Sequence, residues 1–333
     1  MAEEVWMLQT KKADFKQIGA RFRIDPVTAR IIRNRGIEGE AAIDRYLNGT
    51  LDDLYDPMLL KDMERAVSIL CEAVDTGKKI RIVGDYDIDG VCSTYILLQA
   101  FERLGSDVDF EIPDRIKDGY GINESIIEQA LADGVEVILT CDNGISAFHQ
   151  VELAKKYGMT VVITDHHEVP LDGEKEKIPP ADAVIDPKQA DCPYPFPEIC
   201  GAVVAYKLVQ VLYARRGVPQ MEWLDLLEFA AIATVGDVMK LQDENRILVK
   251  YGLKKMAQTK NLGLRRLAEK NNLDLGAITA YHIGFVIGPC LNAGGRLKTA
   301  KEALALLRAQ SEEEAERLAE ELKELNDTRK DMT

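Results

Sequence analysis

The stretch KIRIVGDYDIDGVCSTYILLQAFERLG, residues 79–105, decides the reading of this chain. It opens as a short run rich in branched apolar side chains, the composition of a buried strand. From Val91 the pattern becomes that of a helix ending at Gly105. Between the two, GDYDIDG sets Asp85, Asp87 and Asp89 at alternate positions. The same texture repeats downstream. VDFEIP (108–113), VEVILTCD (135–142), TVVITD (160–165) and the short ADAVIDP (181–187) read as strands, with NESIIEQALADG (123–134) and SAFHQVELAKKYG (146–158) as helices. Largely apolar strands alternating with helices predict an α/β fold: a parallel sheet with helices on both faces.

The flanks differ. Residues 14–75 read as helices. In DPVTARIIRNRG, Asp25 is a candidate N-cap, Pro26 takes the first helical position and Gly36 is a stop; LKDMERAVSILCEAVDTG is a second amphipathic helix. From about residue 201 the chain again reads helical, through to a long charged ending. Helical N-terminal and C-terminal additions to the sheet domain are therefore expected. PYPFP (193–197) is a Pro-rich loop, and no internal repeat is visible.

Composition bounds the function. The 333 residues are 46% hydrophobic and 29% charged, ordinary for a globular protein of about two domains. No apolar run reaches the ~20 residues that span a bilayer. MAEEVWMLQTKK lacks the layout of a signal peptide, so a cytoplasmic protein without a membrane is expected. Six scattered cysteines without a CxxC pair read as free thiols in a reducing compartment. The net charge of −14 counts against a general polyanion binder but allows a local groove. Basic residues do gather early: Lys11, Lys12, Lys16, Arg21, Arg23, Arg30, Arg33, Arg35 and Arg45.

The excess acid has a pattern. Four predicted strands end in aspartate, at Asp85, Asp142, Asp165 and Asp186. In a parallel sheet all carboxyl ends lie along one edge, where open α/β folds bind ligands. Carboxylates so crowded cannot all stay ionised, and divalent cations remove the conflict. Each acid alone has a plainer use as a helix cap or turn former, and Asn143-Gly144 is turn chemistry. A calcium loop of the EF-hand type is excluded, because position twelve from Asp85 is Ile96 and a strand precedes the acids. The four histidines include an adjacent pair, His166 and His167, directly after Asp165. Hard oxygen ligands with one or two imidazoles suit Mn2+ or Mg2+, ahead of Zn2+ or Fe2+ since no cysteine cluster is available. Two such ions about 3.5–4 Å apart form a clamp for phosphoester hydrolysis. One imidazole would then bind metal and the other face the phosphate.

GDYDIDG, TCDNG, TDHH and TVGD resemble, in order and spacing, the four motifs of the DHH phosphoesterase superfamily. Within it the chain is similar to the RecJ family of single-strand-specific exonucleases. RNRGI near residue 33, PDRIKDGYGIN (113–123), YPFPEICGAVVAYKL (194–208), LQDENRILVKYGL (241–253) and GFVIGPCLNAGGRL (284–297) extend the likeness over nearly the whole chain. The resemblance implies a 5′-to-3′ exonuclease that hydrolyses single-stranded DNA to mononucleotides in DNA repair and recombination. It implies two divalent cations, Mn2+ or Mg2+, held by Asp85, Asp87, Asp89, Asp142, His166 and Asp237. Asp142 would bridge the ions, and Asp142, His166, His167 and Asp89 would form the catalytic set. His167 would contact the phosphate, and Asp165 would orient its histidine neighbours. Arg115, Tyr120, Asn292 and Arg296 become candidate substrate contacts. Cys290 stands where a basic residue is usual in the family.

The implied division is an N-terminal helical segment (1–50), a DHH catalytic domain (51–310) and the start of a linker helix (311–333). A second, DHH-associated domain and an OB-fold would follow that helix in the family, so the resemblance implies the catalytic core only. Helicases or single-strand-binding proteins are candidate partners. Two rival functions stay open. One is a DHH phosphodiesterase for short oligonucleotides, 3′-phosphoadenosine 5′-phosphate or cyclic dinucleotides. The other is a non-catalytic scaffold at replication forks.

Overall fold

The computed structural model describes residues 11–114, 121–297 and 299–332, apart from the side chains of residues 296 and 297. Three short helices come first, α1 (Phe15–Phe22), α2 (Pro26–Asn34) and α3 (Glu40–Asn48). Asp25 caps α2, its Oδ1 accepting from the amides of Val27 and Thr28, with Pro26 in the first turn. These helices bury a small cluster of their own around Ile32, Ile37, Ile43 and Tyr46. The amphipathic α4 (Met63–Asp75) leads into the sheet domain.

There, β1 (Ile80–Val83), α5 (Ile88–Arg103), β2 (Val108–Glu111), α6 (Glu124–Ala132), β3 (Val137–Cys141), α7 (Phe148–Lys156) and β4 (Thr160–Thr164) alternate. A two-residue-per-strand hairpin, β5 (Leu171–Asp172) and β6 (Lys175–Glu176), precedes β7 (Ala183–Ile185). The main sheet has the order β2-β1-β3-β4-β7, and every pair in it is parallel. Both faces are covered, which explains the apolar runs. Ile80, Ile82, Val137, Leu139 and Val162 enter the larger core with α5 and the later α8 (Gly201–Arg215), while Val83, Ile138, Val161 and Ile163 meet α6 and α7 on the other face. Arg81 in β1 is the polar exception. Its buried guanidinium grips Asp109 at 2.7 and 2.8 Å and Asp133 at 2.7 Å.

The order places a topological switch between β1 and β3. The chain leaves β1 for β2 on one side and returns to β3 on the other, opening a crevice at the strands' carboxyl ends. Helices α8 (Gly201–Arg215), α9 (Gln220–Leu224), α10 (Leu227–Gly236), α11 (Asp243–Met256) and α12 (Leu262–Lys270) follow. A short α13 (Ala280–His282) widens into a π-helical turn (Ile283–Ile287) and continues as α14 (Gly288–Leu297). After α15 (Lys301–Arg308), α16 (Glu312–Asp331) lays Leu318, Ala319 and Leu322 into the main core. Among the described residues no helix is long and apolar enough to cross a membrane.

Candidate metal centre

Strand register builds the site. Val83 lies opposite Thr140, Cys141 opposite Thr164, and Thr164 opposite Ile185. Continuing each pairing past the strand end brings Asp85, Asp142, Asp165 and Asp186 into one row across the sheet. Backbone bonds hold that row, from the Asp142 amide to Thr164 O and from the Asp165 amide to Ile185 O, both 3.0 Å.

The GDYDIDG segment turns from strand to helix, so its three acids do not lie on one strand face. Asp87 is the N-cap of α5, its Oδ1 accepting from the amides of Asp89 and Gly90 at 2.9 and 3.1 Å. Asp89 points the other way, into the N-terminus of α8. Its two oxygens accept from the amides of Gly201 (2.6 Å) and Ala202 (2.8 Å). The positive end of a helix dipole thus holds a fully buried carboxylate. Asp142 adopts a left-handed backbone, φ 61°. A Cβ on Gly201 would fall 2.7 Å from the Cβ of Asp142, so α8 can begin this close only with glycine there.

Around this frame the side chains converge. His166 Nε2 lies 3.1 Å from Asp142 Oδ1, 3.4 Å from Asp89 Oδ2 and 3.9 Å from Asp237 Oδ2. Three overlapping sets have ligand atoms within 4.8 Å of one another: Asp85, Asp87 and Asp142; Asp89, His166 and Asp237; and Asp142, His166 and His167. Burial raises the carboxyls of Asp85 and Asp237 to about 7, helped by Asp87 for the first and by Asp89 and Asp87 for the second. Asp142, wholly buried beside Asp89 and Asp87, is pushed well above the carboxylate range, and Asp87 is raised by burial and by Asp89. Burial also lowers His166, which favours the neutral imidazole that binds metal.

Asp165 differs from its row. Burial opposes its ionisation, yet bonds from the Nδ1–H of His167 (2.7 Å) and the amides of Ile145 and His166 hold its carboxyl low. Burial likewise opposes charge on His167, but Asp165 outweighs it and raises the imidazole to about 9. With Nδ1 committed to Asp165, the His167 ring reaches solvent from a side chain 44% exposed.

The donor set fits a pair of hard cations. Among the described residues Asp85 Oδ1 and His166 Nδ1 are buried without a hydrogen-bond partner. Five aspartates and a neutral imidazole at this spacing suit Mn2+ or Mg2+.

The profile of the "DHH family, N-terminal domain" matches residues 79–234. The single-stranded-DNA-specific exonuclease RecJ of Bacillus subtilis (strain 168) is 38% identical over 328 residues, 98% of this chain and 40% of that protein. A crystal structure of exonuclease RecJ bound to manganese superposes with a TM-score of 0.73 at 35% identity, over 81% of this chain and 67% of that one. The chain belongs to the RecJ family. A manganese complex of RecJ from Thermus thermophilus gives a TM-score of 0.78 at 32% identity, over 95% of this chain and 44% of that one. The chain spans about half the length of the curated RecJ relatives it matches.

Of the residues implied by the RecJ resemblance, the fold gathers Asp85, Asp87, Asp89, Asp142, His166, His167 and Asp237 at one crevice. Asp237 caps the end of α10 rather than lying inside a helix. Asn292 belongs to none of the three ligand sets; it lines a cavity of about 180 Å³ with Gly236, Gly284, Gly288, Pro289 and Arg329. Arg115 and Tyr120, and the side chain of Arg296, lie outside the described residues. Sequence reasoning missed two participants. The amides of Gly201 and Ala202 carry no side-chain signal beyond a small-residue helix start after a Pro-rich loop. Asp186 was visible as a strand-end acid but outside the RecJ ligand set; burial and Asp165 raise it to about 7.

Proposed function

We propose that this chain is the catalytic part of a divalent-metal-dependent nuclease that hydrolyses single-stranded DNA from its 5′ end to mononucleotides. One observation carries the reading: buried carboxyls crowd around a neutral His166 with their affinity for protons raised, which is what a metal-free cation site looks like. Asp85, Asp87 and Asp142 would hold one cation and Asp89, His166 and Asp237 the second, with Asp142 beside both. When bound, the cation pair supplies the Lewis acidity that polarises a phosphoryl oxygen and acidifies water.

The chain's own groups do the rest. The α8 amides fix the Asp89 carboxylate in direction. Asp165 holds the Nδ1 proton and the orientation of His167, whose cationic ring at the open edge steadies charge building on a phosphate. The likeness to single-strand-specific relatives supports the substrate class. In the same reading residues 1–50 are a helical lead-in, 51–310 the DHH domain and 311–333 the start of a linker. The setting is cytoplasmic DNA repair and recombination, beside helicases or single-strand-binding proteins.

The test is degradation of 5′-labelled single-stranded DNA with Mn2+ against a duplex control. Stepwise release of mononucleotides from the single strand alone is expected. Cleavage confined to di- and trinucleotides would replace this reading with that of a short-substrate phosphodiesterase. No cleavage of any of these substrates, in a chain that binds Mn2+, would refute it.

A further inference from the structure

Two large aromatic side chains stand in solvent on a helix that packs against α5 and α10, the helices that carry Asp89 and end at Asp237. Tyr281 and Phe285 are 63% and 67% exposed. Their rings stack on each other, with centroids 4.7 Å apart and planes 27° apart. They lie about one turn apart where α13 passes into the π-helical turn, a distortion that tends to occur at functional positions. Burying neither ring forgoes the stabilisation that aromatic side chains usually bring to a core.

Their helix is anchored on the candidate metal centre. A Cβ built on Gly284, between the two aromatics, would lie 3.7 Å from Val235, two residues before Asp237. One turn further, a Cβ on Gly288 would lie 3.3 Å from Ile88, the residue between Asp87 and Asp89. The cavity holding Asn292 and Arg329 is lined by Gly284 and Gly288 and by Gly236, next to Asp237. The Arg329 guanidinium is steadied there, its Nε and Nη2 donating to Oδ1 of the buried Asn326 at 3.3 and 3.1 Å. Val238, which follows Asp237, is 87% exposed in a left-handed backbone, φ 58°. Acids, a donor-lined cavity and a wet aromatic pair therefore share one helical junction.

We propose that Tyr281 and Phe285 form a stacking platform for nucleobases of the single strand whose scissile phosphate lies at the acid cluster. This rests on the nuclease reading above and adds where the bases go. Every base has a π face, so such a platform grips a strand without reading its sequence, and duplex bases, already stacked, cannot use it. A protein surface is the other occupant these rings could take. The cavity beside them favours a strand, since guanidinium and amide donors suit a phosphate backbone.

The test uses the full chain with Tyr281→Ala, Phe285→Ala and the conservative Phe285→Trp, all at exposed positions. Binding of fluorescein-labelled oligothymidylate is followed by anisotropy, and hydrolysis by product release with Mn2+. The p-nitrophenyl ester of thymidine 5′-phosphate serves as a substrate with a single base. The expected result is roughly tenfold weaker oligothymidylate binding for each alanine variant, the scale of one lost base–aromatic stack. KM for oligothymidylate rises in parallel, kcat and cleavage of the ester stay within twofold, and Phe285→Trp restores binding. Unchanged oligothymidylate affinity and KM in the double alanine variant would overturn the platform and leave a protein partner as the occupant. Platform-dependent binding without hydrolysis in the wild type would instead sink the nuclease reading and keep the platform. Neither binding nor hydrolysis in the wild type would sink both.

Discussion

Helix α8 touches two buried charge clusters, and they are built on opposite terms. At its N-terminus lie Asp85, Asp87, Asp89, Asp142 and Asp237, with one neutral imidazole among them. Six residues further along, Lys207 is as deeply buried, but everything around it matches. Its Nζ lies 3.1 Å from Glu244 Oε2 and donates to Tyr55 O at 3.1 Å. Glu244 also accepts from the Tyr55 amide at 3.3 Å and from the Tyr194 hydroxyl. Tyr55 OH donates to Asp243, which pairs with Arg45 of α3 at 3.0 Å. Burial lowers Lys207, and Glu244 works against that. This network stitches the N-terminal helices to the sheet domain. The lesson is that buried charge is not itself a functional sign. The sign is buried charge whose balance the chain does not supply.

That contrast breaks most sharply at Asp142. Asp142→Asn is expected to reduce hydrolysis of single-stranded DNA to the metal-free background and weaken Mn2+ binding measured by calorimetry. The same change should raise the melting temperature of the metal-free chain, because it removes a buried acid crowded by Asp89 and Asp87. A lower metal-free melting temperature would show that the cluster is balanced within the chain after all.

The second cluster should respond in reverse. Lys207→Met leaves Glu244 buried without its cation, and a loss of about 3–5 kcal/mol in urea unfolding is expected. Mn2+ affinity of the folded protein should not change. A drop in metal affinity without a loss of stability would mean that the two ends of α8 are not separate devices.

Asp165→Asn tests the strand-end acid that does have its partners. It keeps the shape but loosens the hold on His167, and kcat should fall about 10–100-fold, the usual scale for a group that orients a site residue. Mn2+ binding should change less than in Asp142→Asn. Equal losses of metal in the two variants would place Asp165 among the ligands.

The smallest expected effect is on pH dependence. Asp85 and Asp237, at about 7, hold protons in the folded chain that an unfolded carboxyl near 3.8 has already released. Their raised values favour folding at low pH, so the metal-free chain should lose stability as pH rises from about 4 through 7. Mn2+ must displace the same protons. At a fixed Mn2+ concentration a hundredfold above the pH 8 Kd, the melting temperature should rise by about 5 °C or more at pH 8, and by clearly less at pH 6. Equal shifts at the two pH values would contradict protonated acids at the centre.

Much of this contrast was legible in the sequence, and unevenly. Strands buried on both faces write themselves as apolar runs, so β1, β3 and β4 and their terminal acids could be read directly. Parallel order then put the acids on one edge, although the register that sets them in a row needed the structure. Asp237 had no local signal, because α10 is apolar all round and its capping acid is a single residue with no pattern. It came only through the resemblance. Lys207 and Glu244 were invisible for a different reason. Each sits in a stretch that reads as ordinary helix, and a pair 37 positions apart has no periodicity to reveal it. The aromatic pair was hidden as well, since AYHIGF reads like any amphipathic turn until its exposure is known.

The order of assembly carries a consequence for the chain during its synthesis. Asp85 leaves the ribosome 152 residues before Asp237, so at about 5–20 residues per second the first acids wait roughly 8–30 s for the last. In that interval β1 to β4 can pair while the amides of Gly201 and Ala202, and then the cap of α10, have yet to arrive. A nascent chain therefore carries a partly built edge of acids, and the cluster is complete only once α8 and α10 have docked.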